Sequence, residues 1–125
     1  PMKLSEYMNQ RILQALFQQA PIGIERFFVS PHVGDPQGTG DAEVSGRGYR
    51  RQPVQFLVDG NKYAENAKLL DFANMPSASV VAVGVWDDAT AGNYLFGGLV
   101  AVEKVTNDGD TYRIRAGWLD VTFAP

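Results

Sequence analysis

The chain has 125 residues, 45% of them hydrophobic and 20% charged, with 14 acidic against 11 basic side chains and no cysteine. That length suits one core, since single domains usually form at roughly 100–200 residues, and a net charge of −3 argues against a protein that binds by neutralising phosphates, so no nucleic-acid partner is expected. No stretch approaches the ~20 apolar residues that cross a bilayer, no basic-then-apolar leader opens the chain, and thiol chemistry is excluded; the expectation is a protein made in a cytoplasm, without a membrane partner, held together by burial and by association.

Residues 4 to 19 read as a helix. Leu4, Met8, Ile12 and Leu16 recur every four positions, and Leu13 and Phe17 widen the apolar stripe. Ser5 can cap the start, and Pro21 stands where an N–H would be needed to continue. The stripe must lie against something, either the protein's own sheet or a groove on a neighbouring subunit.

From Ile24 onward the pattern changes to alternation, with β-branched and aromatic residues between turns. Runs at Glu25–Val29, Tyr49–Val58, Lys68–Phe72, Val80–Trp86, Tyr94–Val105, Tyr112–Ala116 and Trp118–Phe123 give about seven strands, the number of a small sandwich. In the last two, Tyr112, Ile114, Leu119, Val121 and Phe123 alternate with polar or exposed positions, so each has one wet face. Val80–Trp86 is apolar on both faces and is expected at the centre of the core, covered by the helix or a second sheet. Asp59-Gly60-Asn61, Ala91-Gly92-Asn93 and Asn107-Asp108-Gly109 supply turn residues, the last expected to close a hairpin. The segment Pro31–Gly48 holds five glycines, two prolines and almost no large apolar side chain, so it reads as a flexible loop. The expected fold is mainly β: one domain over residues 1–125, an antiparallel β-sandwich (jelly-roll or Ig-like) over about 24–124, with one N-terminal α-helix.

The search for an active site finds absences, and no enzyme activity, cofactor or metal is expected. The sole histidine, His32, has no cysteine or second histidine to work with and reads as an exposed loop residue. No serine has a nucleophile-elbow setting, and the Gly38–Gly40 segment lacks the third glycine of a dinucleotide fingerprint. The acidic turns at Asp87-Asp88 and Asn107–Asp110 lack the twelve-residue loop and closing Glu of an EF-hand. Arg47, Arg50 and Arg51 form a local basic cluster, read as a solvated edge or as ion pairs with Asp41 or Glu43.

Two longer stretches, VGDPQGTGDAEVSGRGYRRQPV and VGVWDDATAGNYLFGGLVAVEKVTNDGDTYRIRAGWLDVTF, resemble signatures of small virion proteins of tailed bacteriophages, commonly labelled phage tail fibre or minor tail protein. The resemblance touches Asp35-Pro36, Glu43, Ser45-Gly46, Gly48-Tyr49, Arg51, Trp86-Asp87, Gly92-Asn93, Gly109-Asp110, Ala116-Gly117 and Leu119, and weakens between Asn61 and Ser79. Trp86 replaces the family's usual Phe, and Arg50 its usual Ala. What the resemblance implies is a structural component of a virion, with the phage major capsid protein or tail proteins as partners.

A single domain without repeats suits an accessory capsid decoration or cement protein, homo-oligomeric in the virion; a small tail-fibre or adaptor subunit is the alternative. A receptor- or carbohydrate-binding module would instead need an exposed platform of Tyr49, Trp86, Tyr94 or Trp118. Candidate partner-binding residues are Arg47, Tyr49, Arg50 and Arg51 beside the loop, and Leu4, Met8 and Ile12 on the helix.

Overall fold

A computed structural model describes residues 2–123; the last residue of the expected sandwich, at position 124, lies outside them. The fold is mainly β, with one helix and antiparallel sheets arranged as a β-sandwich.

The chain begins with a two-residue strand, β1 (Lys3–Leu4), and then enters α1 (Glu6–Gln18). Ser5 caps α1: its Oγ accepts from the Met8 N–H at 3.0 Å, which stabilises a helix start by about 1 kcal/mol. Gln19 ends the helix in the left-handed region at φ 52°, so the chain turns away before Pro21. The stripe divides. Met8 joins the core, and Leu4 and Ile12 pack against it, whereas Leu13, Leu16 and Phe17 are 55%, 63% and 70% exposed.

The remaining strands are β2 (Phe27–His32), β3 (Gln52–Val54), β4 (Phe56–Asp59), β5 (Tyr63–Asn66), β6 (Leu70–Phe72), β7 (Ala78–Trp86), β8 (Tyr94–Thr106), β9 (Tyr112–Ile114) and β10 (Asp120–Val121). They form a five-stranded sheet in the order β1-β8-β7-β2-β3, a three-stranded sheet β10-β5-β4 and a pair β6-β9. As its apolar run requires, β7 is the central strand of the large sheet. Val29, Val83, Val85 and Phe96 lie on its inner face, aromatic contacts Phe27–Phe56 and Phe56–Phe96 carry the core between sheets, and Tyr49 from the loop before β3 packs on Phe72.

Several sequence expectations are corrected here. The run Tyr49–Val58 is two strands in two different sheets, broken at Gln55. β1 and β5 carry too few apolar residues to be recognised by alternation. The turn at Asn107–Gly109 does not close a hairpin: β9 pairs with β6, as in Leu70↔Ile114 and Phe72↔Tyr112, and leaves the edge of β8. Met75 holds that turn, its N–H donating to Asp110 O and its C=O accepting from Gly109 N, both at 2.8 Å. His32 is fully buried at the end of β2, because strand alternation places it with Ser30 on the outer face of the sheet, which the following segment covers.

Candidate functional site

Pairing registers fix which side chains share that outer face: Ser30 lies opposite Gly84, His32 opposite Ala82, and Trp86 opposite Tyr94. Pro31–Gly48 begins inside β2 and then folds across these residues as successive turns. Val33 N–H donates to Ala42 O at 2.9 Å, Val44 N–H to Pro31 O at 3.0 Å, and Gly40 and Asp41 N–H both to Pro36 O. Gly40 has φ +82°, and a Cβ there would stand 2.6 Å from the Trp86 ring; only glycine lets this backbone lie on the indole. The second face of β7 is therefore covered by the glycine-rich segment rather than by the helix.

Beneath the segment runs a chain of hydrogen bonds. Trp86 Nε1–H donates to Ser30 Oγ at 2.8 Å, Ser30 Oγ and His32 Nε2 are 2.7 Å apart, and His32 Nδ1 lies 2.6 Å from Asp41 O. The carbonyl can only accept, so Nδ1 carries the proton and Nε2 accepts from Ser30. Burial lowers the His32 pKa, opposed by its bond to Asp41 and by the charge of Glu43, so the ring is held neutral.

Glu43 and Arg51 form the outer tier. Arg51 donates through Nε and Nη2 to the two Glu43 carboxylate oxygens, each at 2.9 Å, and Tyr49 Oη–H donates to the same carboxylate at 2.7 Å. Burial opposes ionisation of Glu43, yet these bonds hold its pKa below the usual carboxylate value. Burial, followed by the bond to Glu43, drives the Tyr49 pKa far upward. The remaining Arg51 nitrogen, Nη1, donates to Asp88 O at 3.0 Å and Ala91 O at 2.8 Å. Asp87 closes the turn it grips, accepting from Asn93 N–H at 2.7 Å and Asn93 Nδ2 at 2.9 Å. The two sequence stretches that carry the family resemblance thus meet at Arg51.

His32, Glu43, Tyr49 and Arg51 are each engaged by their neighbours, so the chemistry of this cluster is that of a clamp joining loop to sheet; Tyr94 Oη, buried on the same face, has no hydrogen-bond partner among the described residues. Above it is a recess of about 450 Å³, lined by Ser45, Gly46, Tyr49, Arg50 and the turn Ala89–Ala91. Of the four residues expected beside the loop, Tyr49 and Arg51 are held inside the clamp; Arg50 is exposed at the recess, and exposed Arg47 donates to Asn74 Oδ1 at 3.0 Å. Met8 and Ile12 of α1 lie apart from them, turned toward the core, and so does Leu4, which pairs with Phe96 in β1 rather than opening the helix as its spacing predicts. Among the four aromatics considered for a sugar platform, Trp118 alone is exposed.

A role that the sequence did not signal belongs to Asn66. This buried side chain donates from Nδ2 to Lys68 O and Arg115 O at 2.9 and 3.0 Å and accepts from Leu119 N–H at 2.9 Å, tying β5 to the approach to β10. Nothing in a sequence pattern distinguishes it from a turn asparagine.

Compared with models of known families, residues 3–122 match the one described as podophage GP4 fiber I protein gp80. No curated protein matches the chain. With a match over nearly its whole length and the two resembling stretches joined at one clamp, the chain belongs to the family of podophage GP4 fiber I protein gp80.

Proposed function

We propose that this protein is a non-enzymatic structural subunit of a phage tail fibre, or an adaptor within that assembly, and that it resides in the virion bound to other tail proteins. The observation that carries this reading is the family match over residues 3–122, whose description is that of a fibre protein. It favours the tail over the capsid-cement role that compactness alone suggests. The side chains best placed for partners are Arg47 and Arg50 at the loop, on the rigid base made by Tyr49 and Arg51, and the exposed helix residues Leu13, Leu16 and Phe17 supported from beneath by Leu4, Met8 and Ile12.

The test is to locate the protein on purified virions with gold-labelled antibody and to count copies by quantitative mass spectrometry. Label at the tail, with a few to a few dozen copies, supports the proposal. Label over the capsid shell with hundreds of copies establishes the cement role instead.

A further inference from the structure

The failure of β8 and β9 to pair leaves a groove between them. β8 carries a bulge there: Ala82 faces Leu99 but Val80 faces Lys104, so the four β8 residues 100–103 stand opposite Val81 alone. The groove has a volume of about 560 Å³ and an apolar floor that includes Val100, Ile114 and Leu119. Its rim carries Val102 and Trp118, 78% and 67% exposed, together with Lys104, Arg113 and Arg115. Among the described residues no carboxylate side chain lines it, in a chain whose net charge is −3. Asp71 engages Arg113 at 2.7 Å, while Arg115 lies 5.3 Å from the Trp118 ring centroid.

A surface of opposite character lies on the three-stranded sheet. Its registers pair Leu57 with Glu65 and Glu65 with Asp120, so these three side chains form one row across the outer face; Asp59 and Tyr63 form the next. Tyr63 Oη–H donates to Asp59 at 2.7 Å, which orients that carboxylate. Lys62 in the turn is the one cation of this hairpin. β4 is an edge strand, and it exposes Leu57 and Val58 at 56% and 73%. An exposed apolar edge of this kind is a natural site of chain-to-chain contact.

We infer that the β4–β5 hairpin and acidic sheet face of one copy seat on the cationic, Trp118-lined groove of a second copy. Carboxylates at Asp59, Glu65 and Asp120 meet Lys104 and Arg115, while Leu57, on the same face, covers Val102 and Trp118. The occupant is another copy because one chain carries both halves, matched in charge and in exposed apolar side chains. Such an asymmetric contact closes into a reciprocal dimer or continues as an open chain, depending on the angle between the two surfaces. The inference does not depend on where in the particle the protein resides.

The experiment is sedimentation of the purified full chain at low salt, with two variants: R115E/W118S in the groove and L57S/D120K on the sheet face. All four positions are exposed, and unchanged circular dichroism verifies folding. The parent should associate with rising concentration, each variant alone roughly ten-fold or more weakly, and an equimolar mixture of the two should recover association through its one intact groove and one intact face. A parent that stays monomeric overturns the inference, including the case in which the groove binds another virion protein instead, as does a mixture that associates no better than either variant.

Discussion

Arg51 lies flat on Trp86, its guanidinium carbon 3.7 Å from the ring centroid, while its nitrogens grip Glu43 and the 88–91 turn. Stacking uses the face of the guanidinium and hydrogen bonding uses its edge, so one planar side chain makes both contacts at once. A lysine ammonium, a compact point donor, cannot make both contacts at once. Arg51→Lys should therefore lower stability by about 2 kcal/mol, and Arg51→Ala by about 3 kcal/mol, because each leaves the half-buried Glu43 carboxylate short of partners. Urea denaturation measures both; a lysine variant as stable as the parent would show that the stacked fork contributes nothing beyond charge.

Gly40→Ala should cost about 2–4 kcal/mol, since it combines an unfavourable positive φ with a Cβ driven into the Trp86 ring. The indole must move, so quenching and wavelength of tryptophan fluorescence should change along with the melting temperature. Gly38→Ala is the control: its Cβ meets nothing within 4 Å.

The pH dependence follows from two groups whose folded pKa values lie below their ordinary ones. His32 is held neutral, so below its ordinary value of 6.5 the unfolded chain binds a proton that the native state does not, and stability falls as the pH drops from there toward the folded pKa. Glu43 adds a second loss below its ordinary 4.5, where its native ion pair resists protonation. Melting temperature should thus decline in two stages on acidification. In His32→Gln the first stage should be absent, and persistence of the full decline above pH 5 in that variant would assign it elsewhere.

Asn66→Ala removes three hydrogen bonds and leaves two carbonyls and one N–H without this partner. A loss of about 3 kcal/mol is expected, with hydrogen exchange accelerated first at Leu119, whose amide it holds.

Phe17→Ser and Leu16→Ser lie on the exposed half of α1, where surface substitutions change stability by about 0.5 kcal/mol or less. They should leave the melting temperature nearly unchanged and reduce incorporation into virions, measured by complementing a phage that lacks the protein. Normal incorporation would remove this helix face from the proposed partner surface.

What could be read from the sequence follows burial. β7 was recognisable as central because both its faces are apolar, and the α1 cap and stop were written in Ser5 and Pro21. The alternation marks Tyr112, Ile114, Leu119 and Val121 as buried, which they are, but it also points to Ala116 and Phe123, which are exposed. Strand pairing was not legible: β9 follows β8 through a good turn sequence yet pairs with β6, a choice made by Met75 and the packing of Phe72 on Tyr112 rather than by the turn. The clamp was half legible. The sequence allows an Arg51–Glu43 ion pair but gives no sign that His32 is buried, since a polar strand face covered by a glycine-rich loop has no periodic signature. The helix stripe showed which residues were apolar, not that Met8 and Phe17 would lie in different environments.

The two ends of the described chain meet just outside β1 and β10: Met2 N–H donates to Thr122 O at 2.7 Å, and Met2 bridges Phe123. Other essential contacts also span much of the chain, such as Ser30↔Gly84 and the bond from Leu119 to Asn66. A nascent chain leaving the ribosome at roughly 5–20 residues per second cannot complete this closure until residue 122 has emerged. During that interval the edge of β5 that β10 will cover is bare, and the time from translation to a finished fold is when the protein is most open to aggregation or to capture by chaperones.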